Sequence, residues 1–183
     1  MTLLLLFILV LALGAVIAVP IVFLLELIGW TWTGVPYVPI PKTALKKLAE
    51  TLVLSDASIV YDLGSGDGRV LIELAKHSNA RFIGIEKAPL PFLASKIREQ
   101  FARQKNVKIV YGDIDKTPLV DATHVYAYLL SDIMDRLLPK FEKELRPGTR
   151  LVSCDFRFTH RTPDASIPAS EGTRAHVLHV YTF

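Results

Sequence analysis

The chain has 183 residues, about one domain's worth, and carries 21 basic against 18 acidic side chains for a formal net charge of +3. Its single cysteine, Cys154, excludes an intrachain disulfide framework and fits a reducing compartment. No run of clustered Lys or Arg interleaved with aromatics is present, so a nucleic-acid partner is not expected.

The 51% hydrophobic content is unevenly spread, because Leu3 to Leu25 contains no charged residue. At about 1.5 Å per residue that run spans roughly 34 Å as a helix, against a bilayer hydrocarbon core of about 30 Å. Gly14 and Pro20 interrupt it, as membrane helices tolerate, and Trp30, Trp32 and Tyr37 follow where an interfacial aromatic belt would sit. A secretory signal peptide would need a basic start and a shorter apolar stretch, and this segment has neither. Residues 1–30 therefore read as an uncleaved transmembrane anchor in the lipid bilayer. No Lys or Arg precedes Lys42, so the positive-inside rule places the rest of the chain on the cytoplasmic side, or in the matrix of a mitochondrion.

Residues 31–54 form a proline-rich linker, with Pro36, Pro39 and Pro41, and then a short amphipathic helix whose apolar positions are Leu45, Leu48 and Leu52. From 55 to 183 strands and helices alternate. Strands are expected over 58–62, 81–86, 107–111, 123–130 and 149–155, with helices over 69–77, 90–104 and 132–145, and a final strand over 177–183 that is antiparallel in many such sheets. Such alternation argues for an α/β, Rossmann-like, mainly parallel sheet with helices on both faces. The stretch 113–121 is too short for a crossover helix between the third and fourth strands.

The first strand runs into Asp62-Leu-Gly-Ser-Gly-Asp-Gly68. In an open α/β sheet ligands bind at the carboxyl ends of the strands, and a glycine loop there lets a ligand approach the backbone. A dinucleotide site would show G-x-G-x-x-G, whereas Gly64, Gly66 and Gly68 are spaced G-x-G-x-G and Arg69 stands where the third glycine would be. Asp62 and Asp67 flank the loop and would repel a pyrophosphate, but they suit a ligand bearing cationic groups. S-adenosyl-L-methionine carries an ammonium, a sulfonium and vicinal ribose hydroxyls. Glu86, ending the second strand, is placed to accept from those hydroxyls, and Asp113, after the third, from the adenine amino group. As plain structural residues these carboxylates would only terminate strands and cap helices.

These motifs, with Gly84-Ile-Glu86 and Gly112-Asp113, resemble the cofactor motifs of class I S-adenosylmethionine-dependent methyltransferases. Pro36-Tyr-Val-Pro39, the loop to Arg69 and Phe156-Arg-Phe158 further resemble a family of membrane-anchored protein-lysine methyltransferases that act on the ATP synthase c-subunit and the adenine nucleotide translocase. The resemblance implies that Asp62, Gly64, Ser65, Gly66 and Gly68 lie around the cofactor, with Glu86 at the ribose and Asp113 at the adenine. It also implies that Tyr37 and Pro39 cover the cofactor or the substrate channel, and that the partner is a membrane protein methylated on lysine.

The fourth strand ends in an apolar, aromatic lip, Tyr126 and Tyr128, suited to a lysine stem, with Tyr128 a candidate for the channel. A lipid or quinone acceptor, or a non-catalytic binding module that kept the fold, are the competing readings. His176 and His179 should point to opposite faces of a strand, and no histidine has ligand spacing with Cys154 or a carboxylate, so no metal is expected.

Overall fold

Strand β1 (Ile59–Leu63) is a five-residue run of Ile, Val, Tyr, Asp and Leu, buried on both faces except at its first residue, as a central parallel strand requires. It pairs in parallel with β2 (Arg81–Glu86) on one side and β4 (His124–Ala127) on the other. Outward from these lie β3 (Val107–Tyr111) and β5 (Arg150–Cys154), also parallel. The antiparallel β7 (Val177–Thr182) and β6 (Ala165–Pro168) complete a seven-stranded sheet in the order β3-β2-β1-β4-β5-β7-β6. The computed structural model describes residues 2–33, 40–170 and 175–183, which places Tyr37 and Pro39 outside the described residues.

Side chains alternate across the sheet. Val60, Phe82, Ile109, Tyr126, Val152 and Val180 share one hydrophobic cluster with α2 (Lys42–Leu52) and α3 (Arg69–Leu74), against which Phe92 and Ala102 of α4 (Pro89–Ala102) also pack. On the opposite face α5 (Ser131–Glu144) supplies Met134, Leu137 and Phe141. There Phe141 meets Phe158 edge-on at 6.2 Å, and Phe158 meets Tyr181 of β7 at 4.8 Å. Helices therefore cover both faces, as expected, and no helix joins β3 to β4.

Three elements depart from expectation, the first being β4, which ends at Ala127 rather than 130. Helix α3 ends at Leu74 rather than 77, because Lys76 and His77 bond back to Glu73 and Leu74 in a tightened last turn. Strand β6 carries no alternating pattern: it is a mostly exposed edge strand ending in Pro168, held by pairing to β7.

The chain divides into two compact units, Met1–Pro36 and Tyr37–Phe183. The first contains α1 (Thr2–Thr33), a 32-residue helix with Pro20 inside it, and its stretch Leu3–Ile21 is long and apolar enough to cross a membrane.

Candidate active site

The loop between β1 and α3 turns on three left-handed glycines, Gly64, Gly66 and Gly68, with φ of +78°, +57° and +75°. A side chain at those angles costs roughly 1–2 kcal/mol each. The loop folds back onto the end of β2, where the Gly64 and Ser65 N–H groups both donate to the Ile85 carbonyl at 2.9 and 3.0 Å. Gly84 makes that approach possible, since a Cβ there would lie 2.6 Å from the Ser65 Oγ.

The loop amides are occupied within the protein. Gly66 N–H donates to Glu86 Oε2 at 2.7 Å, and Gly68 N–H to the Ser65 carbonyl at 2.9 Å. A phosphate cradle needs such amides pointing at the ligand, so the geometry excludes the phosphate reading by a stronger argument than glycine spacing.

Acceptors are left over instead. Asp62 is 2% exposed, and parallel register sets it beside Gly84 of β2 and Tyr126 of β4. Among the described residues no hydrogen-bond partner reaches Asp62 Oδ2, Ser65 Oγ or the Tyr126 hydroxyl. Burial, with the charges of Glu86 and Asp67 adding to it, pushes the Asp62 carboxyl up to about 8. Burial also raises Glu86, although the N–H groups of Ala88, Gly66 and Lys87 pull it down. Its Oε1 accepts from Ala88 N–H at 2.6 Å, and each oxygen keeps further acceptor capacity. The loop thus presents two buried carboxyl groups short of positive partners.

The other two carboxylates expected to meet a ligand are already engaged. Asp67 is gripped by Arg69, through Nε at 2.9 Å and Nη2 at 2.8 Å, and by Arg98 Nη2 at 2.7 Å. Burial works to raise Asp67, but the two guanidiniums hold it below the usual carboxylate range. This corrects its expected role: Asp67 fastens α3 and α4 to the loop. Asp113 accepts from Lys87 Nζ at 2.9 Å and from Asp115 N–H at 3.0 Å, and the Lys87 bond is the main cause of its lowered pKa.

At the ends of β4 and β5 a second cluster forms that sequence spacing did not reveal. Asp155 follows β5 in the left-handed region, at φ 62°. Its Oδ2 accepts from the Tyr128 hydroxyl at 2.8 Å and lies 2.8 Å from His176 Nδ1, while Oδ1 accepts from Val177 N–H at 3.0 Å. Burial would raise Asp155, but these donors hold it low. The expectation that no histidine stands at ligand spacing from Cys154 or a carboxylate is corrected for His176, because β5 and β7 are adjacent only in the sheet. Ligand-type atoms of Cys154, Asp155 and His176 lie within 4.8 Å of one another, while burial and the neighbouring Asp155 push the Cys154 thiol up to about 12. The expected lip also changes: Tyr126 is a core residue, and Tyr128 alone is half-buried, its ring 5.9 Å from that of Phe156.

A sheet in this order, with a glycine loop after β1 and acidic side chains at the ends of β1 and β2, defines a class I S-adenosylmethionine-dependent methyltransferase. The chain belongs to the family described as the ANTKMT methyltransferase domain, whose model matches residues 62–165. It is 37% identical over 154 residues to a protein-lysine N-methyltransferase of Saccharolobus islandicus (strain REY15A), covering 80% of this chain and 92% of that protein. It is 30% identical over 130 residues to the ATP synthase c-subunit lysine N-methyltransferase of Rattus norvegicus, covering 70% of this chain but only 59% of that protein. Among solved structures, an RNA methyltransferase from Salinibacter ruber in complex with S-adenosyl-L-homocysteine superposes with a TM-score of 0.74 at 32% identity, covering 79% of this chain and 93% of the other. A Geobacter sulfurreducens methyltransferase with the same bound product shares the fold at 22% identity, with a TM-score of 0.59 and coverage of 77% and 58%.

The cofactor is S-adenosyl-L-methionine, and the residues present fit it: the orphaned Asp62 Oδ2 and Ser65 Oγ are acceptors waiting for donors, and the occupied loop amides ask for no anion.

Proposed function

We propose that this methyltransferase modifies a lysine side chain of a membrane protein and is held at the bilayer by α1. The observation that carries the reading is similarity over 92% of the length of a relative named as a protein-lysine N-methyltransferase. An N-terminal helix apolar enough to span a bilayer supports the anchor, and the lack of Lys or Arg before Lys42 favours the cytoplasmic or matrix side for the active domain by the charge rule. Anchoring raises the effective concentration of enzyme and acceptor on one surface, which offsets a small recognition area.

In this proposal Glu86 takes the ribose hydroxyls, Asp113 the adenine edge, and Asp62 and Ser65 the cationic methionine end beside Gly64, Gly66 and Gly68. When bound, S-adenosylmethionine supplies a methyl group carried on a sulfonium. The protein's own task is to hold an uncharged amine in line. Lysine has an ordinary pKa of about 10.4, and desolvation between aromatic walls near a positive charge lowers it, so no dedicated base is required. Tyr128 lines that approach, and Asp155 with His176 fixes its hydroxyl direction.

Incubating the full chain with methyl-labelled cofactor and isolated membranes tests the proposal. Label should survive acid hydrolysis as methyl-lysine. Label in lipid, quinone or RNA with no protein band would overturn the lysine assignment.

A further inference from the structure

We infer that the outward face of α4 rests on an anionic bilayer surface, so that the domain lies with its α2, α3 and α4 side on the lipid and its strand ends opening sideways along the headgroups. The inference builds on the anchored reading above and adds an orientation to it.

Leu93, Ile97 and Phe101 recur every four residues on α4 and are 57%, 52% and 81% exposed. Ser95 is the fully buried residue of the same helix, so the apolar stripe faces away from the core. A surface helix ordinarily turns its polar side outward. Lys96 and Arg103 border the stripe, an arrangement of aliphatic and aromatic side chains between basic ones that suits a helix lying in a membrane interface.

Charge marks the same side of the sheet. Over α2, α3 and α4 there are six basic side chains against three acidic ones, or four with the Asp67 that Arg69 and Arg98 clamp, whereas α5 on the opposite face carries three basic against four acidic. That asymmetry draws the α4 face to anionic headgroups. It also disfavours a second copy, because a symmetric pairing would bring positive against positive. An RNA backbone would match the charge and leave the three apolar side chains without use.

With α4 on the lipid, the strand ends stand about one helix diameter, ~10–12 Å, above the headgroups, within reach of a lysine at the edge of a membrane protein.

The test uses the full chain in vesicles of phosphatidylglycerol and phosphatidylcholine containing nitroxide-labelled lipid. A fluorescent thiol probe is placed by Phe101→Cys, or by Glu142→Cys on α5; native Cys154 is buried and remains unlabelled. The expected result is quenching about threefold stronger at position 101 than at position 142, weakened in pure phosphatidylcholine. If the protein floats with the vesicles but both positions are quenched equally, the orientation is wrong while the anchor stands. If it does not float, anchoring fails and this inference with it. Disulfide-linked dimers of the Phe101→Cys chain, or relief of quenching by added RNA, assign the face to those partners and overturn it.

Discussion

Two aspartates end strands of one sheet in opposite conditions. Asp62 in β1 is buried with one oxygen unpartnered and its carboxyl pushed up to about 8, whereas Asp155 after β5 accepts from Tyr128 and Val177, contacts His176 and is held low. Both are products of the fold, and the difference is instructive. A carboxyl that awaits a cationic ligand is left short of donors at a cost in stability. A carboxyl that orients the protein's own side chains is saturated before any ligand arrives.

The largest expected effect comes from removing the acceptor that holds the loop and is proposed to take the ribose. Glu86→Ala leaves Gly66 and Ala88 N–H without their acceptor and removes the proposed ribose handle. Charge-assisted bonds contribute about 1.5–3 kcal/mol each, so calorimetry should show cofactor affinity lower by roughly 100-fold or more. Unchanged affinity would break the contrast at its ligand-facing end.

Asp155→Ala probes the saturated end. With three donors released, turnover should fall by about 10- to 100-fold while the cofactor Kd stays within about twofold. Asp155→Asn keeps an acceptor and suits the left-handed backbone, so it should restore most of the turnover. A matching loss of cofactor affinity in Asp155→Ala would mean that the two ends are one site.

Asp62 carries a pH signature. Its folded pKa, about 8, lies above its unfolded value of 3.8, so between those values the folded state binds more protons than the unfolded state. The Asp62 contribution to stability therefore falls as pH rises from about 4 to about 8 and levels off above. Asp62→Asn removes that penalty. In the absence of cofactor its melting temperature should gain on the wild type by on the order of 3 °C per pH unit across the window, while its cofactor affinity drops. A gain that does not depend on pH would show that burial does not raise the Asp62 carboxyl.

The smallest effect is expected at the clamp. Arg98→Ala removes one of two guanidiniums from Asp67; because Arg98 is partly exposed and Arg69 remains, the loss should be about 1 kcal/mol, seen as a shift of a few degrees in thermal melts with little change in cofactor affinity. Arg69→Ala should cost more, since Arg69 also bonds Asp67 through Nε.

Strands β1, β2, β3 and β5 were legible because each is a short, mostly apolar run closed by Gly, Asp or Glu, and the glycine loop because positive φ restricts residue type; the end of β4 was not, because Tyr128-Leu-Leu130 carries its apolar run past Ala127. Strand β6 was not, since an exposed edge strand has no buried face to write a pattern. The roles of Asp62 and Asp67 could not be told apart in sequence, as both flank the same loop. Arg98, 31 residues beyond Asp67, becomes its partner only when α4 packs beside α3. Tyr128, Asp155 and His176 are likewise brought together by the pairing of β5 with β4 and β7, which no local spacing encodes.

By itself the sequence determined the α/β order, the apolar N-terminal helix, the cofactor class and the carboxylates at the strand ends, because periodicity, hydropathy and glycine geometry are local properties of the chain. Only the tertiary structure decided which acid is left waiting, which is clamped and which holds a tyrosine. It also turned the apolar stripe of α4 outward. Hydrogen-bond saturation, desolvation and exposure depend on neighbours distant in the chain, and those neighbours are assigned only when the sheet closes.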